Sequence, residues 1–229
     1  MKQKEIIRFA FIKSMPIMFS YLFMGAAYGI LMIEAGFLWS YAVLISAAVY
    51  TGAFQFLFVS LLSNGVSFLT TAVSAFLINS RQLFYTLTFV DDFKKMGKKK
   101  LYMIQTLTDE TYAVNCSLEQ VDEEKRSIMF WVALLSHMYW ILGTLVGSLI
   151  GKLIPFSTEG IDFCMTALFI TIFMDQWRDA KDHFSALLGL AVALICLFLF
   201  GESRFILPTL LLVSAILVFR NARGEEENR

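Results

Sequence analysis

The sequence predicts an all-α fold: a polytopic helical membrane protein with about six or seven hydrophobic segments, some of them broken or re-entrant helices. Composition is the first reason. Of 229 residues, 58% are hydrophobic and only 17% are charged, whereas a soluble domain has roughly a quarter of its residues charged. The distribution of charge is the second reason, because 127–151 and 184–201 include no charged side chain. Uncharged runs of about 18 residues or more indicate that lipid is the surrounding solvent.

The first hydrophobic segment, 14–33, follows a short basic stretch and is about long enough to cross a bilayer. We therefore expect a retained first helix, since a signal peptide has a shorter apolar core and a small-residue cleavage site. The whole chain, 1–229, is treated as one integral membrane domain. Its apolar segments, in order, are 14–33, 35–63, 66–90, 128–151, 163–174, 184–201 and 205–219.

Lysine and arginine residues predict the orientation of the chain. Four basic residues before the first apolar segment place the N-terminus in the cytoplasm, and five lysines in 91–100 place that loop there too. If the segments 14–33, 35–63 and 66–90 all crossed the membrane completely, this loop would lie outside. One of them must therefore fail to cross. The segment 35–63 has Thr51-Gly52 near its middle. We expect it to enter the membrane, turn at the glycine and leave on the same side. The alternative is that the positive-inside rule fails here.

Two further patterns concern helix breaks and helix contacts. The segment 163–174, bounded by Asp162 and Asp175, is too short to span alone and is a second candidate half-helix. Glycines at small-xxx-small spacing suit close helix contact and hint at an internal repeat. They also give loose support to a partner helix. These glycines are Gly25 and Gly29 in an early helix, and Gly143, Gly147 and Gly151 in a later one.

Arg81 is the most informative residue, because a charge deep in an apolar segment costs several kcal/mol. On a helix it shares a face with Tyr85, and Asn79 lies one step round. A guanidinium matches a carboxylate with two parallel hydrogen bonds, so Arg81 is a candidate to bind a ligand carboxylate or a buried acid. The alternative is that its side chain reaches toward the aqueous interface, although Asp91 lies about 15 Å further along a helix.

Four other polar residues could contribute to a site. Gln55 could bond a ligand or simply join neighbouring helices. Asp109 and Glu110 could hold a proton or pair with Arg81, or they could form the wet face of an amphipathic helix in the mixed stretch 101–118. Asp162 could cap a helix or border a cavity.

Several classes of protein find no support. The glycines around Gly147 lack the spacing of a nucleotide-binding loop. His137 and His183 lack metal-ligand spacing, and no GxSxG motif occurs. The formal net charge of zero gives no general attraction to nucleic acid. We therefore predict no enzyme activity, no cofactor, no metal and no nucleic-acid partner.

Four motifs, in order along the chain, resemble those of a known family. Gly52 to Phe56 resembles GAxQF. Asn79, Arg81 and Tyr85 resemble NxRHxxY, and Thr108 to Glu110 resembles TDE. Ile161 to Phe163, with Ala167 and Phe169, resembles an LDF segment. This family is AzlC, the large subunit of branched-chain amino-acid exporters, and the resemblance covers essentially the whole length. One departure is Gln82, where the family usually has His. A proton-relay role for that histidine therefore does not carry over.

The resemblance implies export of leucine, isoleucine, valine and possibly methionine across the bacterial plasma membrane, together with a small AzlD-type membrane subunit. In this hypothesis Arg81 holds the substrate carboxylate, with Asn79 and Tyr85 beside it. Backbone near Gly52 and the side chain of Gln55 hold the amine, and either Asp109 or Glu110 couples transport to protons. The alternative is a membrane enzyme or a scaffold that does not transport.

Overall fold

A computed structural model describes residues 2–119, 122–153, 170, 173–174, 177–178, 183–201 and 205–227. Within these residues all regular secondary structure is α-helical, as predicted. Asp162, the LDF segment and most of 163–174 lie outside the described residues. The helices are α1 (Gln3–Glu34), α2 (Trp39–Ala48), α3 (Ala53–Ser63), α4 (Phe68–Thr88), α5 (Val90–Lys95), α6 (Lys99–Gln105), α7 (Asp109–Cys116), α8 (Asp122–Leu153), α9 (Phe184–Phe200) and α10 (Ile206–Glu227).

The described helices belong to two compact units. The first comprises Met1–Val59 and Asn79–Thr158, and the second comprises Ser60–Ile78 and Glu159–Arg229. In the second unit α9 and α10 pack against each other, and Cys196 of α9 is buried. The first unit contains α1, α2 and α5 to α8, with the first part of α3 and the last part of α4. All the side-chain networks discussed below belong to this first unit.

Within the described chain, two helices are long and apolar enough to cross a membrane: α1 and residues Glu123–Leu153 of α8. α1 has 32 residues, and at 1.5 Å per residue it is about 48 Å long, which exceeds a hydrocarbon core of about 30 Å. Phe19 and Phe23 of α1 are 66% and 76% exposed, whereas Tyr21 is 4% exposed. A face of exposed phenylalanines beside a buried polar face suits a helix bordered by lipid.

The glycine faces predicted from spacing form the contact between α1 and α8. A Cβ added to Gly25 would lie 2.7 Å from the carbonyl oxygen of Trp140, and one added to Gly143 would lie 2.7 Å from that of Leu22. The arrangement is reciprocal: Gly25 touches a residue three positions before Gly143, and Gly143 touches a residue three positions before Gly25. The two helices therefore run parallel and meet through a local two-fold relation.

The same relation continues one turn further along both helices. Gly29 lies against the backbone of Thr144 and Ser148, and Gly147 lies against that of Ala26. Such close backbone approach is the usual reason for small residues at membrane helix crossings. These faces therefore give no support to a partner helix, because α1 and α8 cover each other's glycines; the partner subunit stays a prediction. The internal repeat stays a prediction, although the reciprocal contact agrees with it.

The predicted interruption of segment 35–63 is confirmed. α2 ends at Ala48 and α3 begins at Ala53. Between them Tyr50 and Gly52 have positive φ angles of 45° and 49°. The side-chain nitrogen Nε2 of Gln55 lies 3.2 Å from the hydroxyl of Ser46. On one straight helix nine residues would separate these positions by about 13 Å, so the chain turns back on itself at the link.

The basic N-terminal end of α1 and the lysine loop lie at the same end of the first unit. Ala10 of α1, Phe93 of α5, Met103 of α6 and Ile128 of α8 are members of one buried apolar cluster there. α5 is also held to the start of α8, because Asp92 lies 3.9 Å from both Lys125 and Arg126. This common end agrees with the parity argument, in which 35–63 enters and leaves on one side.

Candidate functional site

The link between α2 and α3, residues 49–52, is the centre of the site. Gln55 is fully buried and holds the link closed: its side-chain oxygen accepts from the Thr51 amide at 3.2 Å. Its side-chain nitrogen donates to Ser46, whose hydroxyl lies 2.8 Å from that of Thr144 on α8. Gln55 thus joins α2, α3 and α8, as the helix-joining alternative predicted. Its ligand-binding role stays a prediction.

Aromatic rings surround the link on the side of α1 and α8. The ring of Trp140 packs edge-on against Tyr21 at 5.4 Å, Phe56 at 6.4 Å and Tyr50 at 6.5 Å between centroids. Edge-to-face pairs of this kind contribute beyond simple burial of apolar area. They also hold Tyr50 in a left-handed conformation that costs a residue with a side chain about 1–2 kcal/mol. Strain of this kind is often found at functional sites.

Several buried polar atoms at these rings have no hydrogen-bond partner among the described residues. They include the indole nitrogen Nε1 of Trp140 and the hydroxyls of Tyr50 and Thr51. A buried donor without a partner costs about 1–3 kcal/mol, which a bound polar molecule would recover. The link therefore has the apolar rings and the unsatisfied polar groups expected of a site for a small amphipathic ligand.

Glu110 and Tyr21 form the second part of the site. The Tyr21 hydroxyl lies 2.6 Å from Oε2 of Glu110 and 2.7 Å from Oγ1 of Thr108. Glu110 is exposed at its other side, whereas Tyr21 is buried. Thr108 is the N-cap of α7, and Glu110 lies in its first turn, where the helix dipole stabilises negative charge. A carboxylate exposed at the surface of the described helices is thus connected directly to the buried aromatic cluster.

The stretch 101–118, of mixed character in the sequence, divides into α6 and α7. Thr106 to Thr108 between them are buried and non-helical. The side-chain amide of Gln105 donates to the carbonyl of Ala48 at 2.7 Å, at the end of α2. The second non-helical stretch therefore lies against the first.

His137 closes the cluster from α8. Its ring packs against Tyr50 at 4.4 Å between centroids, and its Nδ1 lies 3.0 Å from the hydroxyl of Tyr102 on α6. Burial raises the pKa of Tyr102 to about 12, so this hydroxyl keeps its proton at neutral pH and is able to donate to the imidazole. No group of three or more metal-ligating side chains occurs in the described part of the chain.

The predicted site residues fall in different places. Gly52 lies in the link with its φ of 49° and Gln55 lies directly behind it. Arg81 lies within α4, but its side chain is outside the described atoms, as is any pairing with Asp109 or Glu110.

Tyr85 of α4 stacks on Tyr112 of α7 at 4.5 Å between ring centroids. Asn79 and Asp109 are half-buried. α7 thus carries both the proposed proton site and the contact with Tyr85.

Sequence reasoning missed Tyr21, Tyr50, His137 and Trp140. A signal existed for some of them. Tyr21 lies four residues before Gly25, which puts it on the same face of α1 as the glycines. His137 and Trp140 are three residues apart and lead into the glycine face of α8 in the same way. No sequence signal marked Tyr50, because its importance comes from a left-handed backbone that non-glycine residues rarely adopt.

Comparisons with known proteins agree with this description. The chain is 38% identical to the branched-chain amino acid transport protein AzlC of Bacillus subtilis over 92% of this chain and 83% of that protein. It is 38% identical to an uncharacterized membrane protein of Helicobacter pylori, over 92% and 93% of the two chains. Inner membrane protein YgaZ of Escherichia coli is 25% identical over 74% and 72%. No solved structure matches. The model of the AzlC protein family matches residues 16–154, and the chain belongs to the AzlC family.

Proposed function

We propose that this protein exports branched-chain amino acids across the bacterial inner membrane, as the large subunit of a two-component, proton-coupled permease. The coarse activity rests on its family: the Bacillus subtilis relative is named for branched-chain amino acid transport. Relatives that are named for transport argue against an enzyme. The finer assignments rest on the break between α2 and α3, where Tyr50 and Gln55 are buried, and on Glu110, which is connected to it through Tyr21.

The substrate lies at the α2–α3 link in this proposal. Backbone at the end of α2 offers carbonyl groups and the start of α3 offers amide groups, so the link suits a zwitterion. The unsatisfied groups of Trp140 and Thr51 supply side-chain contacts. Tyr28 and Phe56, whose rings lie 5.8 Å apart, provide an apolar wall for the aliphatic side chain. Arg81 on α4 holds the carboxylate.

Glu110 is the proposed carrier of the coupling proton. It is exposed, so water can deliver a proton to it, and its carboxylate touches the buried cluster through Tyr21. Asp109 precedes it in the first turn of α7 and is the second candidate. The N-terminus and 91–100 face the cytoplasm, since five lysines resist translocation.

A leucine efflux measurement tests the proposal. Cells that lack their own exporter are loaded with a leucine-containing dipeptide, and release of leucine is followed with and without this protein and its small partner subunit. We expect faster release and a lower internal leucine concentration when both are present. Equal release in the two strains would exclude leucine export.

A matched pair of variants locates the site in the same assay. Arg81→Gln removes the charge proposed to hold the carboxylate. Arg8→Gln removes the same charge from the exposed N-terminal segment. We expect loss of efflux only for Arg81→Gln. Equal efflux from both variants, at equal amounts in the membrane, would remove Arg81 from the site.

A further inference from the structure

We propose that Tyr21 reports the protonation state of Glu110 to the buried site by reversing the direction of its hydrogen bonds. The inference rests on the proposed function, because it concerns how the coupling proton acts. The phenol oxygen of Tyr21 lies within hydrogen-bond distance of both Glu110 and Thr108. A phenol has one proton, so at any moment it donates to one partner and can accept only from the other.

The charge on Glu110 decides which partner receives that proton. An ionised carboxylate is only an acceptor, so Tyr21 then donates to Glu110 and accepts from the hydroxyl of Thr108. When Glu110 takes a proton from solution, its O–H is able to donate to Tyr21. Tyr21 then donates to Thr108, and the Thr108 proton turns to the hydroxyl of Thr111, 3.2 Å away.

Both states leave every hydroxyl with a partner. Thr111 retains its bond to the carbonyl of Thr108 at 3.2 Å, and its oxygen still accepts from the Thr108 amide at 2.8 Å. Because no buried polar group becomes unsatisfied, the reversal avoids the usual penalty of about 1–3 kcal/mol for an orphaned group. The network can therefore change direction with one proton and little movement of its heavy atoms.

The reversal affects two features of the proposed site, namely the N-cap of α7 and the aromatic cluster beside the α2–α3 link. Thr108 caps α7, so its hydroxyl changes from donating to Tyr21 to donating within the cap. The ring of Tyr21 packs edge-on against Tyr50 at 6.3 Å and Trp140 at 5.4 Å. Tyr21 is therefore a positioning residue between the proton site on α7 and the link between α2 and α3.

Other ionisable groups surround this network. They are Tyr50 in the link, Asp109 beside Glu110 on α7, and His137 on α8, with Tyr102 of α6 hydrogen-bonded to His137. On α4 the side chain of Arg81 lies outside the described atoms. Tyr21 itself is hydrogen-bonded to the Glu110 carboxylate.

Leucine flux in inverted membrane vesicles tests the inference, using the full chain expressed with its small partner subunit. Flux is measured with and without an imposed pH gradient, and leucine–leucine exchange is measured without a gradient. For Tyr21→Phe we expect the stimulation by the gradient, expressed relative to the variant's own leucine–leucine exchange, to be lost. Tyr139→Phe is the matched control, since it removes the same atom from a buried tyrosine of α8 whose hydroxyl lies 3.3 Å from that of Ser14, outside this network. It should keep the stimulation.

A second pair of variants decides the outcome if Tyr21→Phe folds poorly. Thr108→Ser keeps the hydroxyl and should keep the stimulation, whereas Thr108→Val removes it and should behave like Tyr21→Phe. Wild-type stimulation in Tyr21→Phe, or in a stable Thr108→Val protein, would overturn this inference and leave the proposed function standing. Absence of any leucine flux in the wild type would instead refute the proposed function, and leucine flux that ignores the gradient would refute both proton coupling and the relay.

Discussion

Adding one methyl group to Gly147 should weaken the contact between α1 and α8. A Cβ at this position would overlap the carbonyl oxygen of Ala26 and lie 2.5 Å from its Cα. Carbon atoms in ordinary contact are about 3.5–4.0 Å apart, so the helices must separate by about 1 Å or bend. Overpacking costs about 1–3 kcal/mol, and we expect about 2–3 kcal/mol here because the overlap is with backbone atoms; the higher helix propensity of alanine returns about 1 kcal/mol, which leaves a net cost of about 1–2 kcal/mol.

A graded glycine series makes this prediction quantitative. Gly25→Ala and Gly143→Ala should have similar effects, because each Cβ would meet a backbone oxygen at 2.7 Å. Gly151→Ala should be milder, with Ile30 Cα as nearest neighbour at 3.2 Å. Gly189→Ala is the control, since its Cβ would meet no described atom within 4 Å.

Thermal unfolding of the purified protein in detergent, followed by loss of the monodisperse peak, measures the series. At about 2–4 °C per kcal/mol for a chain of roughly this size, we expect Gly147→Ala to melt about 2–8 °C below wild type. Gly189→Ala should melt at or above the wild-type temperature. Equal melting temperatures for these two variants would refute the reasoning, and so would clearly different effects of Gly25→Ala and Gly143→Ala.

Three further predictions concern orientation, partner and substrate. Single cysteines at Gly97 and Lys99, in a cysteine-free background, should resist an impermeant thiol reagent added outside cells, and strong labelling would contradict the cytoplasmic loop. This chain alone in liposomes should not export leucine until the small subunit is added; full activity without it would remove the partner. Arg81→Lys keeps the charge but loses the planar fork, so it should weaken leucine binding about ten- to a hundredfold while the protein stays folded. Unchanged affinity would count against a carboxylate contact.

The sequence was sufficient to predict those features that depend on local composition. Uncharged runs located α1 and α8, and the lysine-rich loop together with Gly52 predicted the break between α2 and α3. The division of 101–118 into two helices could also have been predicted. Thr108 is a favourable N-cap, and the two acidic residues after it suit a first helical turn. The sequence showed 101–118 only as a stretch of mixed character, because its overall hydropathy hides the buried, non-helical residues before the cap.

The candidate site was harder to predict because its contacts join distant parts of the chain. Tyr21 and Glu110 are 89 positions apart, and their 2.6 Å hydrogen bond depends on how α7 packs against α1. The glycine spacing predicted a close helix contact but not its partner, which proved to be the other glycine helix. The left-handed Tyr50 follows from packing against Trp140 and His137, since its own conformational preference opposes it.

The first unit therefore combines a rigid contact with two connected non-helical segments. α1 and α8 meet backbone to backbone, so a sliding motion between them would meet immediate overlap at Gly147. The links 49–52 and 106–108 are not part of any helix and are freer to change conformation. They are also tied to each other, because Gln105 donates to Ala48 at the end of α2 and Tyr21 lies between Thr108 and Tyr50. In the proposed relay, a change that begins when Glu110 takes a proton would therefore reach the α2–α3 link, where the proposed substrate site lies, rather than the α1–α8 contact.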